Sequence, residues 1–215
     1  MAEKLIKSNI LLSRMRRLAK SEQLVLSILA LAVGALAGGG TILFRDGILL
    51  VQSFVYGWGE ESLHEHMKGL SNWHLILGPT AGGLLVGIFI YKFLPERRAH
   101  GVADVIDAAS FHDARMSTRC GIKSALASAV SLGSGASLGR EGPVVHMGAS
   151  FGAWLARILH LRRSAARTLL GCGVASAVAA SFNAPLAGVF FAHEVALGHY
   201  ARTSFAPIVM SSVMG

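Results

Sequence analysis

Apolar residues run through this chain in long blocks, with few of the short alternating stretches of a water-soluble sheet protein. Segments free of Asp, Glu, Lys and Arg cover residues 24–44, 69–91, 124–139, 142–156 and 168–193, and a last one runs from Thr203 to the end. A bilayer core of about 30 Å takes roughly 20 residues of helix, so the first two blocks are each long enough to span. The third and fourth hold 16 and 15 residues and are separated only by Arg140-Glu141. The fifth is long but broken at Asn183-Ala184-Pro185. The pattern predicts an all-α multi-pass membrane protein with short or interrupted helices. A basic segment, 1–23, precedes a membrane domain, 24–215.

Composition agrees with this picture. The 215 residues are 53% hydrophobic and 15% charged, with a mean hydropathy of +0.53, too apolar for an ordinary soluble domain and incompatible with disorder or a water-exposed enzyme. The net charge of +8 would suit nucleic acid only if the basic residues formed a face or stripe. They lie between the apolar blocks instead, so no nucleic-acid partner is expected. Lys4, Lys7, Arg14, Arg16, Arg17 and Lys20 precede the first block, which places the N-terminus in the cytoplasm by the positive-inside bias. Glu60, Glu61 and Glu65 mark the far side, and Lys92, Arg97, Arg98, Arg157, Arg162, Arg163 and Arg167 mark returns to the cytoplasm. The first block is too long for a signal-peptide core and is followed by no small-x-small cleavage site, so it reads as a retained helix.

Cys120 and Cys172 stand alone in apolar surroundings and indicate neither a disulfide framework nor a zinc site. Glycine is abundant, with 25 copies, many inside the apolar blocks. Most fit close helix packing, where small residues let backbones approach.

The most informative stretch runs from Gly133 to Gly148 and contains Gly139-Arg140-Glu141-Gly142-Pro143. Proline is favoured in a first helical turn, where its missing N–H would be unpaired anyway, so a helix is expected to begin near Pro143, at membrane depth. A helix start exposes backbone amides and the positive dipole end, a ready anion site. Such a start inside a bilayer is tolerated where it lines a polar cavity or is buried in protein. Glu141 can compete with an anion there and vacate the site on protonation; the other reading is that it pairs with Arg140 or caps the helix at an interface. Ser181 to Glu194 repeats the arrangement, with Asn183 as a cap and Pro185 in a first turn. Glu194 reads as a proton site, a helix-end ion pair or an intersubunit contact.

Other chemistry finds little support. His193-Glu194 and His199 miss the His-Glu-x-x-His spacing of a zincin helix, and His64-Glu65-His66 reads as an exposed polar loop. No phosphate-binding loop, dinucleotide fingerprint or nucleophile elbow is present, so no cofactor, metal or catalytic residue is expected.

At these residues the sequence resembles the CLC family of chloride channels and proton-coupled anion transporters. Gly139 to Pro143 resembles the family's gate motif, and Phe182 to Gly188 with the following Phe-Phe-Ala-His-Glu resembles its next signature block; the similarity covers nearly the whole chain. The resemblance implies half-helices aimed at anions in mid-membrane, a homodimer with one pathway per subunit, and chloride or another small anion as the transported ion. Glu141 would be the gating residue, and the stretch Arg140, Gly142, Pro143 and Val144 would help hold the anion through the backbone amides around it.

Three departures accompany the resemblance. The family's inner anion block is best matched by Ala99-His100-Gly101-Val102-Ala103-Asp104, where His100 replaces a serine and Ala103 a proline. His100, Gly101 and Val102 would then be anion-binding, and an imidazole N–H can still donate; a solvated loop histidine beside Arg97 and Arg98 is the other reading. Proton-coupled members carry a second acid where this chain has Val195, which cannot relay protons. The family's second inverted repeat is missing, and the chain stops at Met214-Gly215 within an apolar run, as a first repeat would. The expected function is passive anion conduction gated by Glu141 in a cell membrane, with a proton/anion antiporter or a non-conducting membrane fragment as alternatives.

Overall fold

The computed structural model describes residues 2–57, 72–198 and 202–215, with side chains from residue 23 onward apart from those of 72, 74 and 202. The acidic loop residues Glu60, Glu61 and Glu65, the cluster around His64 and His66, and His199 lie outside the described residues. Helix α1 covers Ala2–Tyr56 and α2 Asn72–Phe93; a single 3-10 turn follows at Pro95–Arg97. Helices α3 (Val102–Phe111), α4 (Thr118–Gly133), α5 (Glu141–Ile158) and α6 (Arg163–Phe182) come next. Helix α7, Pro185–Phe191, runs on into a π-helical turn at Ala192–Leu197, and α8 is Arg202–Met214. No strand occurs among the described residues, as the pattern of apolar blocks predicts.

Among the described residues, three segments are long and apolar enough to cross a bilayer: Gln23–Tyr56, Leu75–Phe93 and Arg163–Phe182. They differ sharply in surroundings, with 78% of the α6 span buried against 6% of the α2 span. α6 is the hub, packed by α1, α5, α7 and α8. Its small residues make this possible. A Cβ on Gly173 would collide with the carbonyl oxygen of Gly148 on α5, and one on Gly148 with that of Gly173. Gly152 passes the Leu169 carbonyl as closely. Between these contacts lies a core of Val145, Ala149, Leu169, Leu170, Val174 and Ile208. α2 turns Ile76, Leu77, Leu84, Leu85 and Ile88 outward, a surface suited to lipid.

Several boundaries differ from those the charge-free blocks predict. α1 continues past Phe44 through Arg45 and Asp46 to Tyr56, because both charged residues lie on its exposed side and a helix does not end where a charge can reach water. It also runs unbroken through residue 23, so the boundary between basic segment and membrane block is one of composition. α4 begins at Thr118, where the Ser117 side chain accepts from the Cys120 amide at 3.4 Å, and ends at Gly133, leaving 134–140 as a loop. α5 starts at Glu141, two residues before Pro143, which still falls among the first-turn amides that need no partner. The fifth block is broken where expected, but Asn183 does not cap α7. It closes α6 in the left-handed region, φ 52°, ψ 39°, a conformation asparagine tolerates, and Ala184 precedes α7 without a side-chain cap.

Candidate functional site

The site is built where the starts of α3 and α5 meet. Gly101 is the residue before α3 and Gly142 the second residue of α5. A Cβ on Gly101 would lie 4.0 Å from the Gly142 Cα, and one on Gly142 3.8 Å from the Gly101 Cα. The helix start expected near Pro143 and the stretch 100–102 that the family resemblance marks as anion-binding therefore sit backbone to backbone, and the positive ends of α5 and α3 reinforce one another.

Glu141 is the first residue of α5 and is partly buried. Its Oε2 lies 2.9 Å from where a Gly139 side chain would begin, so the carboxylate folds back over the start of its own helix. A Cβ at 139 would have to push this flexible carboxylate aside. The loop that delivers Glu141 is pinned from α1, where Tyr56 Oη donates to the Ser134 carbonyl at 2.8 Å. Gly135 follows at φ +100°, and a Cβ there would come within 2.6 Å of Tyr56 Oη.

The remaining motif residues divide between two faces of α5. Arg140 and Val144, four residues apart and so on one side of the helix, line a cavity of about 300 Å³ with Thr41, Arg45, Asp46 and Ser181 from α1 and α6. Gly142 faces α3 instead. Pro143 is partly buried and has no amide hydrogen to give.

His100 is not a solvated loop residue. Its side chain is 10% exposed, its amide donates to Ser124 Oγ at 2.9 Å, and its Nδ1 lies 3.2 Å from Asp104 Oδ1. Asp104 gathers donors from every side. Arg98 reaches both its oxygens, at 2.5 and 3.1 Å, and the Gly101 amide donates to Oδ2 at 2.8 Å. Burial pushes this carboxyl up, but the hydrogen bonds from Arg98, Gly101 and His100 outweigh it and hold it well below the usual carboxylate range. Asp104 thereby fixes both the entry to α3 and the orientation of His100. Val102 opens α3 and packs against the main core.

Sequence reasoning missed the partner of His100. His146, on α5, is 4% exposed and stacks on His100 with ring centroids 5.3 Å apart and planes 19° apart. A polar ring within an apolar block was the available signal. Asp104, three residues after Gly101, carried the spacing of a capping box. Glu194 lies apart from these residues, on the exposed side of the π-helical turn. His193 beside it is fully buried and stacks on Phe205.

An all-helical protein with membrane-length apolar helices and two helix starts meeting beside a partly buried glutamate belongs among the broken-helix membrane proteins. The family model described as voltage gated chloride channel matches residues 82–215, and this chain belongs to that family. A putative chloride channel protein, ClcB-like, of Ralstonia nicotianae is 34% identical over 84% of this chain and 42% of its own length. A slow cyanobacterial Cl−/H+ antiporter has the same fold, with TM-score 0.70 and 20% identity over 88% of this chain and 44% of its own. A CLC-type fluoride/proton antiporter superposes equally well, with TM-score 0.70 and 24% identity over 88% of this chain and 45% of its own. The chain thus spans less than half the length of the relatives it matches.

Proposed function

We propose that the complete protein carries chloride or a similar small anion across a cell membrane, and that this chain supplies one half of the lining of the pathway. The observation that carries this reading is the close pass of Gly101 and Gly142, which aims the amide ends of α3 and α5 at common ground with the Glu141 carboxylate at its edge. Backbone amides and two aligned dipoles bind a small anion without a fixed cation. Glu141, tethered at that spot, acts as a resident anion that excludes the mobile one until it is protonated. Transport is passive and gated, because Val195 offers no proton relay next to Glu194. The N-terminus faces the cytoplasm on account of the basic residues preceding residue 23, and two copies assemble with one pathway each.

Chloride efflux from liposomes carrying the complete protein tests the gate. Glu141→Gln, which mimics the protonated acid, is expected to raise the flux and flatten its pH dependence; unchanged flux and pH dependence would discard the assignment. A second reading is proton/anion exchange, favoured by the two antiporters that share the fold. Recording chloride and pH together decides between them, since uphill proton movement driven by a chloride gradient would replace conduction with exchange.

A further inference from the structure

The stacked pair of His100 and His146 has two nitrogens that nothing satisfies. His100 Nε2 and His146 Nδ1 are both buried and have no hydrogen-bond partner. A buried polar atom left without a partner is rare and calls for an occupant such as a water or an ion. The surroundings say which kind. His100 immediately precedes the amide end of α3, its neighbour Gly101 touches the amide end of α5, and Arg98 lies on Asp104 next door. Glu96, His100 and Asp104 lie close enough together to hold a cation, but Arg98 already engages both carboxylates, and the two amide ends favour an anion.

The proton inventory then becomes specific. An ionised carboxylate only accepts, so the hydrogen on His100 sits at Nδ1, facing Asp104. In the neutral ring Nε2 is consequently a bare lone pair, which repels an anion. Protonation turns the same atom into an N–H donor bearing positive charge. His146 cannot take a second proton cheaply, because two imidazolium rings 5.3 Å apart would repel in a buried setting.

We propose that His100 and His146 form a proton-dependent subsite for a small monovalent anion, in which one proton, carried on His100 Nε2, enters and leaves with the anion. The proposal rests on the anion-transport reading and adds to it a second proton-linked element separate from Glu141. Other titratable groups around the pair are accounted for. Glu96 and Asp104 pair with Arg98 on the same stretch of chain, and Arg97 covers the Tyr91 ring. From α4, Cys120 faces this carboxylate cluster and Lys123 donates to the Phe93 carbonyl. Glu141 opens α5. Farther along α3, Asp107 pairs with His112 and Arg167 of α6 donates to the Ser110 carbonyl. The turn bearing His193 and Glu194 packs on α3.

The test is calorimetric titration of chloride and bromide into the complete protein in detergent, in the Glu141→Gln background so that the gate contributes no proton. Buffers of different ionisation enthalpy count the protons. Affinity is expected to fall between pH 5.5 and 8, by up to about tenfold per pH unit, with uptake approaching one proton per anion. Adding His100→Ser or His100→Asn should leave an anion site whose affinity no longer follows pH. His146→Gln should alter the affinity and keep the proton count. Anion binding that is independent of pH in the Glu141→Gln protein, or a pH slope that survives both His100 substitutions, would overturn the subsite and leave the transport reading standing. Absence of any anion binding at either pH would overturn both.

Discussion

Gly101 and Gly142 pass so closely that a methyl group on either would touch the Cα of the other, at 4.0 and 3.8 Å. These are ordinary contact distances. Gly101 is extended, with φ −147°, a conformation open to any residue. Gly101→Ala should therefore fold with a stability change within about 1 kcal/mol, whereas Gly142→Leu should force the two helix starts apart and destabilise by about 1–3 kcal/mol, as overpacked sites do. Thermal unfolding of the purified variants checks the first half of the expectation. Chloride efflux, reduced in Gly142→Leu and near normal in Gly101→Ala, checks the second.

Asp104 links stability to pH. Its carboxyl is held below its ordinary value of 3.8 in the folded chain, so its contribution is complete above that value. It is lost as pH falls, when the unfolded chain binds a proton that the folded one refuses. Asp104→Asn removes the charge that Arg98 meets and should destabilise by about 1–3 kcal/mol at neutral pH. Melting temperatures measured from pH 3 to pH 7 should differ by a constant amount above about pH 5 and begin to draw together only toward pH 3, since the folded carboxyl stays ionised there. Parallel curves would count against the assignment.

The crossing of α5 and α6 tolerates no added carbon. Gly173→Ala places a methyl into the Gly148 carbonyl and is expected to cost about 1–3 kcal/mol or to prevent accumulation of folded protein. Gly87 on α2 has nothing within 4 Å of its added Cβ. Gly87→Ala should be neutral or gain up to about 1 kcal/mol from helix propensity. Fluorescence-detected size-exclusion profiles after a heating series separate the two outcomes.

Removing one oxygen should loosen the loop that precedes Glu141. Tyr56→Phe abolishes the hydrogen bond to the Ser134 carbonyl, leaving a buried acceptor unpaired at about 1–3 kcal/mol. Hydrogen exchange over residues 134–140 should accelerate, while exchange in α6 stays unchanged.

How much of this was legible beforehand follows from the range of each interaction. The break at Asn183-Ala184-Pro185 and the helix start near Pro143 are local, carried by proline and its neighbours, and both appear within two residues of the expected place. The end of α1 was not legible, since Arg45 and Asp46 interrupt a hydropathy count without interrupting a helix that keeps them exposed. Asn183 was given the right break and the wrong side of it, because asparagine serves both as an N-cap and as a left-handed C-terminal residue. The approach of Gly101 to Gly142 and the stacking of His100 on His146 join distant parts of the chain. No local pattern encodes them.

The two breaks in the apolar blocks also differ in electric field. Only Asn183 and Ala184 separate the carbonyl end of α6 from the amide end of α7, so a negative pole lies beside a positive one and the pair is largely self-cancelling at a distance. At the other break, the loop 134–140 carries the carbonyl end of α4 away from Glu141, and the amide end of α5 meets that of α3. One interruption joins opposite poles, and the other brings two like poles together, with the Glu141 and Asp104 carboxylates as their counter-charges.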